Sequence, residues 1–261
     1  MAGFDWGDEF AGRRVVVTGA AGIYGRWIAA AFAASGARVC LTDGDGAALA
    51  PLARAGDLVH EADLTDAKSI AGLAAAVTRA WGAADVVINN AGVYPSGFLL
   101  DTDEREWDRI MDVNLRAPFL VTRAFAKGMI AAGVKGAVVN VSSGASRSMR
   151  RTVVPYCTSK TALDRLTKGF ALELAEFGIR VNAVEPGFAA GSVSSPLPAA
   201  HVEATRERIP LGREAEARDA ADSILFLCSS RASFVTGATL TVDGGLSAGA
   251  LAVYQDKKSA G

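Results

Sequence analysis

Short runs rich in β-branched residues alternate along this chain with longer Ala- and Leu-rich stretches of helical period, and that alternation restricts the fold more than any other feature. The candidate strands are residues 14–17, 37–41, 86–88, 137–141, 179–184 and 239–242. Most are apolar throughout rather than alternating, as suits strands covered by helices on both faces. Between them lie helix-period segments at residues 26–34, 67–80, 104–129, 159–176 and 216–227. A repeating strand–helix order predicts an α/β fold built on a doubly wound parallel sheet.

The chain has 261 residues and contains no linker, low-complexity tract or internal repeat, so a single domain over residues 1–261 is expected. Three segments fit the strand–helix rhythm poorly: an N-terminal extension at 1–12, a Gly/Ser/Pro-rich stretch at 187–200, and a tail at 246–261. Long irregular segments of this kind serve as lids or partner contacts. Half of the residues are apolar, 21% are charged and the formal net charge is −1. That balance gives no electrostatic reason to expect a nucleic acid or an anionic membrane as partner. No apolar run approaches the ~18 residues that span a bilayer. Asp5, Asp8 and Glu9 are wrong for the basic start of a signal peptide, so a cytoplasmic protein is expected. Cys40, Cys157 and Cys228 are too scattered for a disulfide framework or a zinc site, and no metal is expected.

The first strand runs into Thr18-Gly19-Ala20-Ala21-Gly22-Ile23-Tyr24-Gly25 and then a helix. A glycine-rich turn at that joint lets backbone approach a pyrophosphate, and the helix N-terminus meets its charge with N–H groups and a positive dipole. A tight turn alone also explains such a loop, but its place at the first strand-to-helix joint points to dinucleotide binding on a Rossmann-type sheet. Asp43 ends the second strand, at the distance where a carboxylate accepts hydrogen bonds from the adenosine ribose. It would repel a 2′-phosphate, and Gly44-Asp45-Gly46 supply no cation, so NAD is favoured over NADP. The competing account makes Asp43 an ordinary turn residue.

Tyr156 and Lys160 stand four apart at the start of a helical stretch, hence on one face. An ammonium there favours the phenolate and lowers a tyrosine pKa towards neutrality, which suits an acid/base. Ser142-Ser143 closes the strand before them. With the glycine loop, Asp63-Leu64, Asn89-Asn90-Ala91-Gly92, Val113-Asn114, Val181-Asn182, Pro186-Gly187 and Asp243-Gly244-Gly245, these residues form an ordered series along nearly the whole chain. The series resembles the classical short-chain dehydrogenase/reductases.

The resemblance implies an oxidoreductase that moves a hydride between nicotinamide and an alcohol or ketone carbon of a small molecule, assembled as a homotetramer. It implies that Ser143 bonds the substrate oxygen and that Tyr156 exchanges the proton. Lys160 would hold the nicotinamide ribose, and Asn114 a water leading protons from Lys160 to solvent. Gly19, Gly22, Ile23, Tyr24 and Gly25 would face the pyrophosphate, and Asp63 and Leu64 the adenine. Asn90, Ala91 and Gly92 would border the adenosine-side ribose, and Pro186, Gly187 and Phe188 the nicotinamide. Taken singly, Asn114 also reads as a helix residue bonding local backbone, and Ser143 as a strand cap.

Two positions depart from the family pattern. Ile23 stands where a glycine is usual, and Gly191 where a threonine touches the carboxamide, with Ser192 beside it as a substitute. The substrate pocket is bordered by residues 144–155, which include Arg147, Arg150 and Arg151. Guanidinium groups suit a carboxylate, phosphate or sulfonate, but equally form structural ion pairs. Arg150, midway along this loop, is placed by resemblance to enter the pocket, with Tyr94 and Phe188 as walls. A sugar-derived or anionic alcohol is the expected substrate; a ketoacyl- or steroid-type reductase and a catalytically silent dinucleotide-binding module are the alternatives.

Overall fold

The computed structural model describes residues 5–191 and 197–249. Among these, seven strands form one sheet: β1 (Arg14–Thr18), β2 (Arg38–Asp43), β3 (Leu58–Glu61), β4 (Val86–Asn89), β5 (Ala137–Val141), β6 (Arg180–Pro186) and β7 (Thr239–Val242). Their spatial order is β3-β2-β1-β4-β5-β6-β7, and every pairing is parallel. The order reverses between β1 and β4, so the C-terminal ends of these central strands open the crevice where ligands bind in such sheets.

The helices are α1 (Ile23–Ala34), α2 (Gly46–Leu49), α3 (Ala67–Trp81), α4 (Glu104–Met111), α5 (Ala117–Ala131), α6 (Val154–Leu174), α7 (Ala199–Arg206) and α8 (Ala217–Cys228). They cover both faces, which gives two apolar cores. One packs Val15, Val17, Val39 and Ile88 against Ile28 and Phe32 of α1 and Ile224 and Leu227 of α8. The other packs Val16, Val87, Val138 and Val181 against Leu73 of α3, Val121 of α5 and Leu174 of α6. Alternate residues of β1 thus point to opposite cores, which explains its unbroken apolar run. No helix of the described residues is long and apolar enough to cross a membrane.

Three expectations change in detail. The 104–129 segment is two helices joined by a π-helical turn, Asp112–Arg116, with Asn114 inside it. The Tyr156 helix begins at Val154, not at residue 159, because Pro155 occupies its first turn, where no N–H is required. The described part of the N-terminal extension packs onto the core: Phe10 stands edge-on between Trp6 and Phe32, with ring centroids 5.7 and 5.2 Å away. Glu9 accepts hydrogen bonds from the backbone and hydroxyl of Ser230.

Candidate active site

Thr18, buried at the end of β1, ties the crevice together. Its hydroxyl donates to the Ile88 carbonyl and accepts from the backbone N–H groups of Asn90 and Ala91. The Asn90 amide donates 2.9 Å bonds to the carbonyls of Thr18 and Gly19. Asn90 therefore fastens the glycine turn, a role its sequence position alone does not suggest. Gly19 has φ +62°, and a Cβ there would meet Ala91 Cα at 2.7 Å. Gly25 packs tighter still, since a Cβ would fall 2.1 Å from the Gly19 carbonyl oxygen. Both are glycines by necessity.

Gly22 caps α1 without a side-chain hydrogen bond, and Ile23 is the first helical residue. A glycine is thus not needed at position 23, and the first-turn amides stay open to an anion. Asp43 Oδ2 accepts from Ala21 N at 3.0 Å, so the carboxylate stands at the mouth of this turn. Asp63 closes its own turn by accepting from Thr65, and Leu64 is buried beside it. On the other side, Tyr24 donates 2.7 Å to the Gly187 carbonyl, bridging α1 to the end of β6. Gly187 passes so close to β7 that a Cβ would lie 2.9 Å from Asp243 Cα. Phe188 lines a cleft with Gly187, Pro210, Arg213 and Asp243. These surfaces, a glycine cradle at a helix N-terminus and a carboxylate beside it, fit a dinucleotide. Ser192 lies outside the described residues, as does most of the tail.

A buried polar ladder fixes the neighbouring helix. The Asn89 amide donates to Thr122 of α5 and to Asn140 of β5, and Asn140 donates to Thr167 of α6. Lys160, buried on α6, donates 2.7 Å to the Val141 carbonyl, and its Nζ stands 5.9 Å from the Tyr156 ring centroid. Burial pushes the Lys160 pKa down to about 8, against the opposing charge of Asp164 one turn further on. Ser143 stands near enough to the Tyr156 phenol to favour its charged form, and Tyr94 packs edge-on against the ring, centroids 6.0 Å apart. Burial raises the Tyr156 pKa, outweighing the influence of Ser143 and the charge of Arg150. The expectation of a tyrosine lowered by the ammonium changes in its net direction: burial outweighs what the Lys160 charge, which also bonds the Val141 carbonyl, does for the phenolate.

Asn114 is wholly buried. Its amide donates to Val93 O and Ser159 Oγ, and its oxygen accepts from Val93 N. Ser159 in turn donates to the Tyr156 carbonyl. A Cβ on Gly92 would lie 3.4 Å from the Asn114 oxygen and 3.6 Å from Lys160 Nζ, so only a small residue leaves that corner open. Ser143, Tyr156, Lys160 and Asn114 thus form one contiguous group. Ser159 was not singled out from sequence, although its place three residues after Tyr156 on the same helix is the signal that finds it.

The three loop arginines separate. Arg147 pairs with the buried Glu185 at 2.6 Å, and Glu185 also accepts from Ser146 and Thr241. Arg151 lies over the Phe98 ring. Arg150 is exposed, so the cost of burying an uncompensated charge does not arise for it.

Residues 19–247 match the family described as enoyl-(acyl carrier protein) reductase. L-xylulose reductase of Bos taurus is 41% identical over 245 residues, 91% of this chain and 97% of that protein. Trans-4-hydroxycyclohexanecarboxylate dehydrogenase of Sinomonas cyclohexanicum is 36% identical, covering 93% of this chain and 95% of that protein. The crystal structure of a gluconate 5-dehydrogenase from Burkholderia cenocepacia, in complex with NADP and tartrate, superposes with a TM-score of 0.86 at 30% identity, covering 93% and 98% of the two chains. Family match, near-full-length relatives and shared architecture agree with the motif series: the chain belongs to the short-chain dehydrogenase/reductase family of oxidoreductases.

Proposed function

We propose that the protein is an NAD-dependent dehydrogenase/reductase acting on a secondary alcohol or ketone of a small polar, sugar-derived or anionic substrate. The observation that carries this is the Tyr156 ring 5.9 Å from the Lys160 ammonium one helical turn away, with Ser143 near enough to favour the phenolate. Relatives named for xylulose, gluconate and a hydroxycyclohexane carboxylate support the substrate class.

In the proposed reduction, the hydroxyls of Ser143 and Tyr156 donate to the substrate carbonyl oxygen. Both then stabilise the negative charge that develops there. A phenol whose pKa burial has raised is neutral at working pH, so it holds the proton that the forming alkoxide takes. Lys160, charged below about pH 8, stabilises the phenolate left behind. In this scheme Asn114 supports a water that returns protons to Lys160 from solvent. Bound nicotinamide supplies or accepts the hydride. Oxidation runs the same transfers in reverse.

The Asp43 carboxylate supports NAD. It is held at the glycine turn by Ala21 and Asp45, where it accepts from ribose hydroxyls and opposes a 2′-phosphate. Comparison of kcat/KM for the two cofactors tests this, with NAD ahead by about tenfold or more, the worth of one charge-assisted bond. A preference for NADP overturns the cofactor assignment. NAD binding without turnover of any polyol, sugar or hydroxy acid returns the protein to the silent-module alternative.

A further inference from the structure

The loop between Ser143 and Tyr156 carries three guanidinium groups, and two of them are committed. Arg147 neutralises the buried Glu185, and Arg151 covers Phe98. The Arg150 guanidinium makes no ion pair or hydrogen bond with any described residue, yet it is not a remote surface charge. Its Nη2 lies 3.7 Å from where a Cβ on Gly144 would stand, in the space that the missing side chain leaves beside Ser143. Its charge reaches the Tyr156 hydroxyl, where it favours the phenolate.

The backbone holds Arg150 there at some cost. The Val153 N–H donates to the Arg150 carbonyl, closing a turn whose third residue, Thr152, has φ +69°. Among the described residues, Thr152 alone adopts positive φ without being glycine. A β-branched residue in that conformation is strained, and strain of this kind persists where the surroundings enforce it, commonly at ligand-binding positions. Here Gly97 N enforces it by donating 2.8 Å to the Thr152 carbonyl.

We infer, on the footing of the oxidoreductase reading above, that Arg150 holds an anionic group of the substrate, a carboxylate, and so selects hydroxy or keto acids over neutral polyols. The guanidinium offers two parallel N–H donors to a carboxylate oxygen pair, next to the hydroxyl that bonds the reacting oxygen. The rival partner is Asp243, whose Oδ2 lies 3.9 Å from the same Gly144 Cβ position. Asp243 already accepts from the backbone N–H groups of Gly245 and Ser247.

The test compares aldonates with alditols of matching length and configuration, in the parent protein and in Arg150→Met. The parent favours the acids, and the variant reduces the acid-to-alditol ratio of kcat/KM by about ten- to a hundredfold, mainly through KM. Arg151→Met, the control for lost charge in the same loop, leaves the ratio in place. Competition of tartrate against threitol for the NADH-loaded protein reads the same discrimination without turnover. Parent and variant that treat acid and polyol alike overturn the role of Arg150 and leave it as a partner of Asp243. Loss of all turnover with intact tartrate preference instead overturns the oxidoreductase reading and spares the anion site.

Discussion

The two loops that face each other across the crevice work by opposite means. In the turn 19–25 the working surface is backbone. Side chains are removed at Gly19 and Gly25 so that β1, α1 and the Asn90 segment can touch, and amides remain to meet an anion. In the loop 143–156 the working surface is side chains: hydroxyl, phenol and guanidinium, borne on a backbone strained at Thr152. Damage to the first should be felt in folding and cofactor affinity together. Damage to the second should be felt in chemistry or specificity while the fold stands.

Tyr156→Phe gives the largest effect that this contrast predicts. The ring still packs against Tyr94 and α6, but no group exchanges the proton, so kcat falls by about 10²–10⁴-fold. Cofactor affinity, measured by NADH fluorescence titration, stays within a few-fold. In the parent, oxidation needs the phenolate of a tyrosine whose pKa lies above its usual value, so its kcat/KM rises with pH on the alkaline side. Reduction needs the phenol and the Lys160 ammonium, and declines as pH passes about 8. Residual activity of the variant should lack the tyrosine-dependent rise; near-parental activity would remove Tyr156 from the chemistry.

Gly25→Ala tests the other side. The added Cβ is driven against the Gly19 carbonyl, a backbone atom with nowhere to go, at a cost of about 1–3 kcal/mol. Thermal denaturation should show a Tm lower by several degrees at about 2–4 °C per kcal/mol, with weakened cofactor binding. If cofactor affinity is unchanged, the turn does not serve as the phosphate cradle.

Thr152→Gly is the smallest change. Relief of about 1–2 kcal/mol of strain is partly offset by the freedom that glycine adds to the unfolded chain, about 0.5–1 kcal/mol. The protein should gain up to about 1 kcal/mol in thermal unfolding, and the acid preference ascribed to Arg150 should weaken. Destabilisation would show that Gly97 and the Thr152 side chain do more than hold a strained turn.

The same contrast explains what could be read from sequence. β1, β4 and β5 are mostly apolar runs buried on both sides, so composition announces them. β3 does not appear among the candidate runs: Leu58–Glu61 is an edge strand of four residues with His60 and Glu61, half of it facing solvent. Glycine turns and Tyr156-x-x-x-Lys160 are local patterns and stood out. Arg147 meets Glu185, 38 residues away, and Asn114 meets Val93 and Ser159, 21 and 45 residues away. Such pairings carry no local signal, so neither the commitment of Arg147 nor the full use of Asn114 could be seen in advance. The pKa of Tyr156 turned on burial, which spacing along a helix does not report.

The junction of Glu9 with Ser230, separated by 221 positions, bears on how the chain acquires its shape. β1 occupies the middle of the sheet, yet the residues just before it are fastened by a segment more than two hundred positions later. During synthesis Glu9 must wait for more than two hundred further residues before this contact can form. Distant closures of this kind slow folding, because chain entropy is lost before the contact repays it. A nascent chain halted before Ser230 therefore lacks both the Glu9 bonds and the cover that Arg231 gives the Trp6 ring, and this seam closes late.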